Sequence, residues 1–167
     1  DNPNQGHTGE DAQKNALTKD TSLVTVSIGG NDLGFGKVLK DCMINGERGV
    51  SFVAKCQAKW NDTLDDDLDS LAPRLVEHYK DIKKRAPNAR VVVMGYPPLF
   101  NEPPSESLNN LLYAEDQVWM NGKARALNAR LREACREAGV EFIDPTDAFK
   151  GHGVGSSDPW LNDMDWG

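Results

Sequence analysis

Ser22-Leu-Val-Thr-Val-Ser-Ile-Gly-Gly-Asn-Asp-Leu-Gly-Phe-Gly36 carries the reading of the fold. Leu23 to Ile28 is a short, apolar, β-branched run, the pattern of a strand buried on both faces. It halts at Gly29-Gly30, where two residues without Cβ let the backbone turn sharply and let another group come close. Asn31 and Asp32 follow at once, so a carboxamide and a carboxylate stand at the carboxyl end of a buried strand. In open α/β sheets ligands bind at that end. An Asn-Asp pair capping the next helix satisfies the same residues. Taken alone, the stretch leaves both open.

Outward from this stretch the pattern repeats. Arg90-Val-Val-Val-Met-Gly95 reads as a second buried strand, and its all-apolar character indicates a parallel sheet. It ends in Gly95-Tyr-Pro-Pro-Leu-Phe100, again a loop at a strand's carboxyl end, which makes Tyr96 a candidate binding residue. Residues 101–110 form a Pro- and Ser-containing loop placed to border a substrate cleft. Val140-Glu-Phe-Ile-Asp144 is a shorter, mixed third strand.

The segments between the strands have helical periodicity. Leu64, Leu68, Leu71, Leu75, Tyr79 and Ile82 recur at steps of three and four, predicting a helix from about Val50 to Arg85. Its acidic residues come first and its basic ones last, as the helix dipole favours. Pro73 predicts a kink or a break near Ala72. A further helix reads from about Tyr113 to Ala138, with Val118, Leu127, Leu131 and Cys135 in register and Gly139 at the stop. Glu10 to Leu17 suggests a short helix with Ala12, Ala16 and Leu17 inward. Another starts at Leu33, weakened by Gly34 and Gly36. Strands alternating with such helices predict right-handed βαβ units in a three-layer α/β/α sandwich, as one domain over residues 1–167.

Composition removes several function classes. A net charge of −7 argues against a nucleic-acid surface, which needs a basic face. No run of roughly 18 apolar residues exists to span a membrane. The opening Asp1-Asn-Pro-Asn-Gln-Gly6 is polar and does not read as a signal peptide. Gly29-Gly30-Asn31-Asp32-Leu33-Gly34 is neither a dinucleotide fingerprint nor a phosphate loop, and no cofactor is expected. His7, His78 and His152 are scattered and the cysteines match no zinc spacing, so no metal site is expected. The Asp65-Asp66-Asp67 run reads as a solvated helix face rather than a calcium site. Cys42 and Cys56 bracket a loop-like segment, where a local disulfide and two reduced thiols both fit. Cys135 sits on a helical face and is expected to pack.

Val24-Thr-Val-Ser-Ile-Gly-Gly-Asn-Asp-Leu-Gly-Phe35 resembles the third conserved block of the SGNH (GDSL) hydrolases, and most closely their secreted actinobacterial lipase and esterase branch. Arg85 to Phe100 is similar to the family's central strand. Ala138 to His152, with Asp158-Pro-Trp160, is similar to the branch's late strand and loop. The resemblance implies a flavodoxin-like parallel sheet, a small-molecule or lipid ester as substrate, a secreted protein, and a disulfide between Cys42 and Cys56. It gives Asn31 the role of side-chain donor to the oxyanion of an ester under attack, with Gly29, Gly30 and Asp32 around it. A neutral donor at a strand end is suited to that task.

The family's nucleophile comes from a Gly-Asp-Ser block and its base from a late His block, and neither block occurs in the 167 residues. His152 in its Gly-His pair matches a loop position rather than the base. Ser156 and Ser157 lack an elbow of glycines. Ser27 is expected to pack. A branch disulfide is absent too: Gly155 stands at one cysteine position and residues 101–110 hold no cysteine. Two readings follow, the central part of a serine ester hydrolase and a non-catalytic α/β binding domain on the same scaffold. Either way the 23–28 strand is expected to lack its inner neighbour, so that a flanking segment or a second chain pairs with its edge.

Overall fold

A computed structural model describes residues 12–44, 55–105 and 112–161. Three strands and three helices alternate as β1 (Leu23–Val26), α1 (Phe35–Ile44), α2 (Lys55–Arg85), β2 (Arg90–Met94), α3 (Ala114–Ala138) and β3 (Glu141–Ile143). The expected helix starts at Glu10 and Val50 lie outside the described residues, as does the 106–110 part of the long loop.

The sheet runs β1-β2-β3 with every pair parallel. Thr25 lies beside Val92, which lies beside Glu141; Val26 lies beside Val93, which lies beside Phe142. Residues in register share a face, so Val24, Val26, Val91, Val93 and Phe142 look one way while Leu23, Thr25, Val92, Met94 and Ile143 look the other. Both crossovers step in the same direction along the sheet, so right-handed connections put α2 and α3 on one face. There they pack against each other and close over Val93, which is fully buried, with Leu64, Leu71, Leu75, Tyr79, Met120, Leu127 and Leu131. The opposite face leaves Leu23, Met94 and Ile143 half exposed. That is the face a third layer covers in a complete α/β/α sandwich.

This asymmetry corrects the expectation for the first strand. Its residues alternate between exposed and half-buried instead of being buried on both faces, and Ser27 is exposed rather than packed. Among the described residues β1 has β2 as a neighbour on one edge only, and no helix covers its outer face.

The break expected at Pro73 does not occur. α2 is one helix of 31 residues through that point, because Leu68 and Leu71 before it and Leu75 and Val76 after it are buried in the same core. Packing on both sides holds the axis, and the exposed proline ring costs a local hydrogen bond rather than the helix. Val118 is 48 % exposed, not inward. Nine residues, about two and a half helical turns, separate it from Leu127, which puts the two on opposite faces. The short helix near the start is a single 3₁₀ turn, Gln13–Ala16, with Ala12 and Ala16 exposed and Leu17 half-buried.

Cys42 of α1 and Cys56 of α2 form a disulfide, with Cα atoms 5.3 Å apart, and Cys135 is a buried free thiol whose pKa burial raises to about 11. Closing a loop of that length restricts the unfolded chain by about 3 kcal/mol. Asp65 of the acidic run and Asp69, one turn further along the helix, bind Lys123 and Arg130 of α3, so this face zips the two helices together. No group of three His, Cys, Asp or Glu able to hold a metal occurs among the described residues, and none of their helices is long and apolar enough to cross a membrane.

Asp116 is the carboxylate most at odds with its surroundings. It is 3 % exposed in the first turn of α3 and accepts the Gln57 backbone N–H at the start of α2, 3.3 Å away. Burial raises its pKa, outweighing that hydrogen bond, and the neighbouring Glu115 adds to the rise. A carboxyl whose folded pKa is raised contributes stability below its unfolded value, about 3.9, and loses that contribution as pH climbs through the folded value. Asp116→Asn, which keeps an acceptor for Gln57, is therefore expected to raise Tm at pH 7. The gain over wild type should shrink toward pH 3 in thermal melts across that range.

Candidate active site

The chain leaves β1 at Val26 and turns at Gly29 into α1. Gly29 has φ +111°, a conformation that side chains rarely adopt, and a Cβ there would stand 3.3 Å from Leu71 and 3.5 Å from Leu127. The first glycine is thus pressed onto both helices. Backbone N–H groups of Leu33, Gly34 and Phe35 donate to the carbonyls of Gly29, Asn31 and Gly30, winding the turn into the helix start. Asn31 and Asp32 are exposed on it. Asp32 faces Arg74 of α2 at 3.5 Å, an ion pair half open to water and worth little by itself.

Tyr96, in the loop after β2, grips this turn. The Gly30 N–H donates to the Tyr96 hydroxyl at 3.0 Å, and a Cβ on Gly30 would touch the ring at 3.0 Å. A side chain at this position would crowd the tyrosine ring, which a glycine does not. The backbone of Tyr96 is held in turn by Asn128 of α3, which is buried. Tyr96 N–H donates to Asn128 Oδ1 and Asn128 Nδ2 donates to Tyr96 C=O, both at 2.8 Å. Gly95 permits that approach, since its Cβ would fall 2.6 Å from Asn128 Oδ1.

The same device recurs down the loop. Asn121 donates to the C=O of Phe100 at 2.8 Å and accepts its N–H at 3.0 Å. Gln117 accepts the Ser105 N–H and donates to the Ser105 and Leu112 carbonyls. The three amides lie on one face of α3 at spacings of four and seven, all at most 2 % exposed. On its other side the loop meets residues 152–156: Phe100 bridges Val154, and Gly153 lies so close that a Cβ would sit 2.5 Å from the Phe100 carbonyl carbon. Glu102 is held below the usual carboxylate range by Arg125, with Asn121 adding to it.

Beyond β3, Asp144 holds the start of the next loop. Burial opposes its ionisation, but hydrogen bonds from Thr146 and the Arg132 guanidinium outweigh that and keep its carboxyl below the ordinary range.

Gly29, Gly30, Asn31, Asp32 and Tyr96 all line one groove, about 940 Å³ in volume, which runs along the β1 edge between α1 and α2. His78 also lines it. It lies two turns, roughly 10 Å, along α2 from Leu71, away from the strand ends. His152 is outside the groove. Its ring stacks on Trp160 at 3.7 Å and its Nδ1 is 2.8 Å from the Asp158 carbonyl oxygen, a loop-packing role. The described part of the long loop, 101–105, is pinned to α3 and does not line the groove. The sequence pointed to Asn31 and Tyr96 but not to the α3 amides. Their signal was three carboxamides in phase with the apolar face of a helix, where apolar residues were expected.

Set beside known proteins, residues 3–164 match the model of the GDSL-like Lipase/Acylhydrolase family. Lipase 1 of Streptomyces coelicolor is 33% identical over 155 residues, covering 92% of this chain and 54% of that protein. Lipase of Streptomyces rimosus is 32% identical, covering 91% and 54%. Among solved structures, phospholipase A1 from Streptomyces albidoflavus NA297 superposes with a TM-score of 0.80 at 35% identity, over 93% of this chain and 62% of that one. The extracellular lipase of Streptomyces rimosus gives 0.79 at 30%, over 90% and 61%. The chain spans about half the length of the curated relatives it matches.

Proposed function

The chain belongs to the GDSL-like lipase/acylhydrolase family, in the branch of the Streptomyces lipases and esterases, and from that membership we propose that it supplies the oxyanion-binding half of a carboxylic-ester hydrolase. One observation carries the reading: Asn31, exposed at the carboxyl end of β1, stands on a turn whose preceding N–H is already committed to Tyr96. Gly30 therefore has no backbone donor left for a substrate. The side-chain amide of Asn31 takes that duty.

In this mechanism a serine on adjoining sequence attacks the ester carbonyl while a histidine, also on adjoining sequence, accepts its proton. Electron density moves onto the carbonyl oxygen, and the Asn31 Nδ2–H donates to it. Collapse of the tetrahedral intermediate expels the alcohol, which takes the proton from the histidine, and water then releases the acid by the same steps. The substrate is a small-molecule or lipid ester. The adjoining segment that brings the serine adds a strand along the outer edge of β1, where the groove leaves room for it. The Cys42–Cys56 disulfide supports a secreted protein, since such bonds persist in oxidising compartments.

The test is turnover of a short-chain p-nitrophenyl ester by two proteins, the 167-residue chain and the same chain with its gene-encoded neighbours on both sides. Hydrolysis by the longer protein only is expected. Equal turnover by the isolated chain would move the nucleophile into these residues and sink the proposal. An inactive longer protein would favour a binding domain on the same scaffold.

A further inference from the structure

The groups that locate Asn31 come from elements distant in the sequence from its own helix, the loop after β2 and α3. β1 ends at Val26, and from there to Phe35 no strand or helix holds the chain. An oxyanion donor must be in place before the charge forms, because a donor that has to be ordered during the reaction gives back what it contributes. Two contacts from another part of the chain meet that need. The Tyr96 hydroxyl takes the Gly30 N–H, fixing the plane of the peptide one residue before Asn31. Asn128 takes both the N–H and the C=O of Tyr96, fixing the tyrosine.

The relay is tightly built at each joint. At both Gly30 and Gly95 a methyl group would crowd the next member, the Tyr96 ring in one case and the Asn128 amide in the other. Asn128 is 2 % exposed and spends its third bond on Asp144 at the end of β3, 3.4 Å away. The relay thus ties together the ends of all three strands: β1 through Gly30, β2 through Tyr96, β3 through Asp144. Nothing in the packing of the core requires a hydroxyl on Tyr96. A phenylalanine would fill the same space.

We propose that Tyr96 and Asn128 are positioning residues for the oxyanion donor, Asn128 orienting Tyr96 and the Tyr96 hydroxyl locking the Gly29–Gly30 peptide that leads into Asn31. This rests on the ester-hydrolase reading of Asn31 and deepens it. Tyr96 touches no reacting atom and acts through the turn.

Tyr96→Phe removes one oxygen and keeps the ring, so the variant folds. It is made in the chain with its gene-encoded neighbours and read in two ways. The first is amide hydrogen exchange at Gly30 by NMR. The exchange is expected to speed up about tenfold, the scale of one lost hydrogen bond, while the core amides of Val93 and Leu131 keep their rates. The second is steady-state hydrolysis of the p-nitrophenyl ester, where kcat is expected to fall about tenfold with KM within twofold. Asn128→Asp, which replaces the donor to the Tyr96 carbonyl by a second acceptor, is expected to speed exchange at both Tyr96 and Gly30.

Unchanged Gly30 exchange in Tyr96→Phe would overturn the relay. Faster exchange with unaltered kcat, in a protein where Asn31→Ala is severely impaired, would overturn the positioning role and leave a purely structural bond. Asn31→Ala with full activity would instead sink the hydrolase reading, and the exchange data would still decide whether Tyr96 holds the turn.

Discussion

Asn31→Ala, made in the chain with its gene-encoded neighbours, is expected to lower kcat for ester hydrolysis by about 10²–10³ with little change in KM. The size follows from when the bond is made. A ground-state ester carbonyl asks little of a neutral donor, whereas the oxyanion of the tetrahedral intermediate carries nearly a full charge. Losing a bond that strengthens only in the transition state shows in kcat. Stability should change little, because Asn31 is exposed. Urea unfolding midpoints measured beside kcat separate the two effects. A loss of activity accompanied by an equal loss of folded protein would remove Asn31 from the chemistry.

The largest effect on stability is expected from Asn121→Ala, about 4 kcal/mol by urea denaturation, because two buried backbone groups lose their partners at about 1–3 kcal/mol each. Asn121 is fully buried, and Phe100, whose N–H and C=O it satisfies, is 2 % exposed. Water cannot reach these groups to replace the amide. Asn121 also donates to Glu102 at 3.0 Å, so the alanine variant loosens the loop at a second point. A cost below about 1 kcal/mol would mean that the loop relaxes to find other partners, and the α3 amides would then be ornaments of a loop held by residues 152–156.

These two residues differ in how readily the sequence betrays them. Asn31 was legible because its surroundings are local: a β-branched run, two glycines and a polar pair occupy ten consecutive positions. Tyr96 was legible for the same reason, as the residue after a strand's closing glycine. Asn121 and Asn128 were not, since the groups they satisfy lie 21 and 32 residues away and only the fold brings them together. The error at Val118 has a related origin: a phase was assigned from apolar residues alone, when the buried face of α3 is partly polar.

What the chain determined by itself is the sequence of elements, the parallel sense of the sheet, the helix stop at Gly139 and the strand-end position of Asn31, because each depends on periodicity or on a residue's own backbone preference over a few positions. The Gly139 cap, for instance, is left-handed at φ 66° wherever the helix packs. Only the tertiary structure decided that one face of β1 lies open among the described residues, that α2 runs unbroken through Pro73, and that the Gly30 N–H is already taken. Those outcomes depend on which distant groups arrive alongside, and an amide or a proline carries no mark of the neighbour that will satisfy or support it until the chain has closed around both.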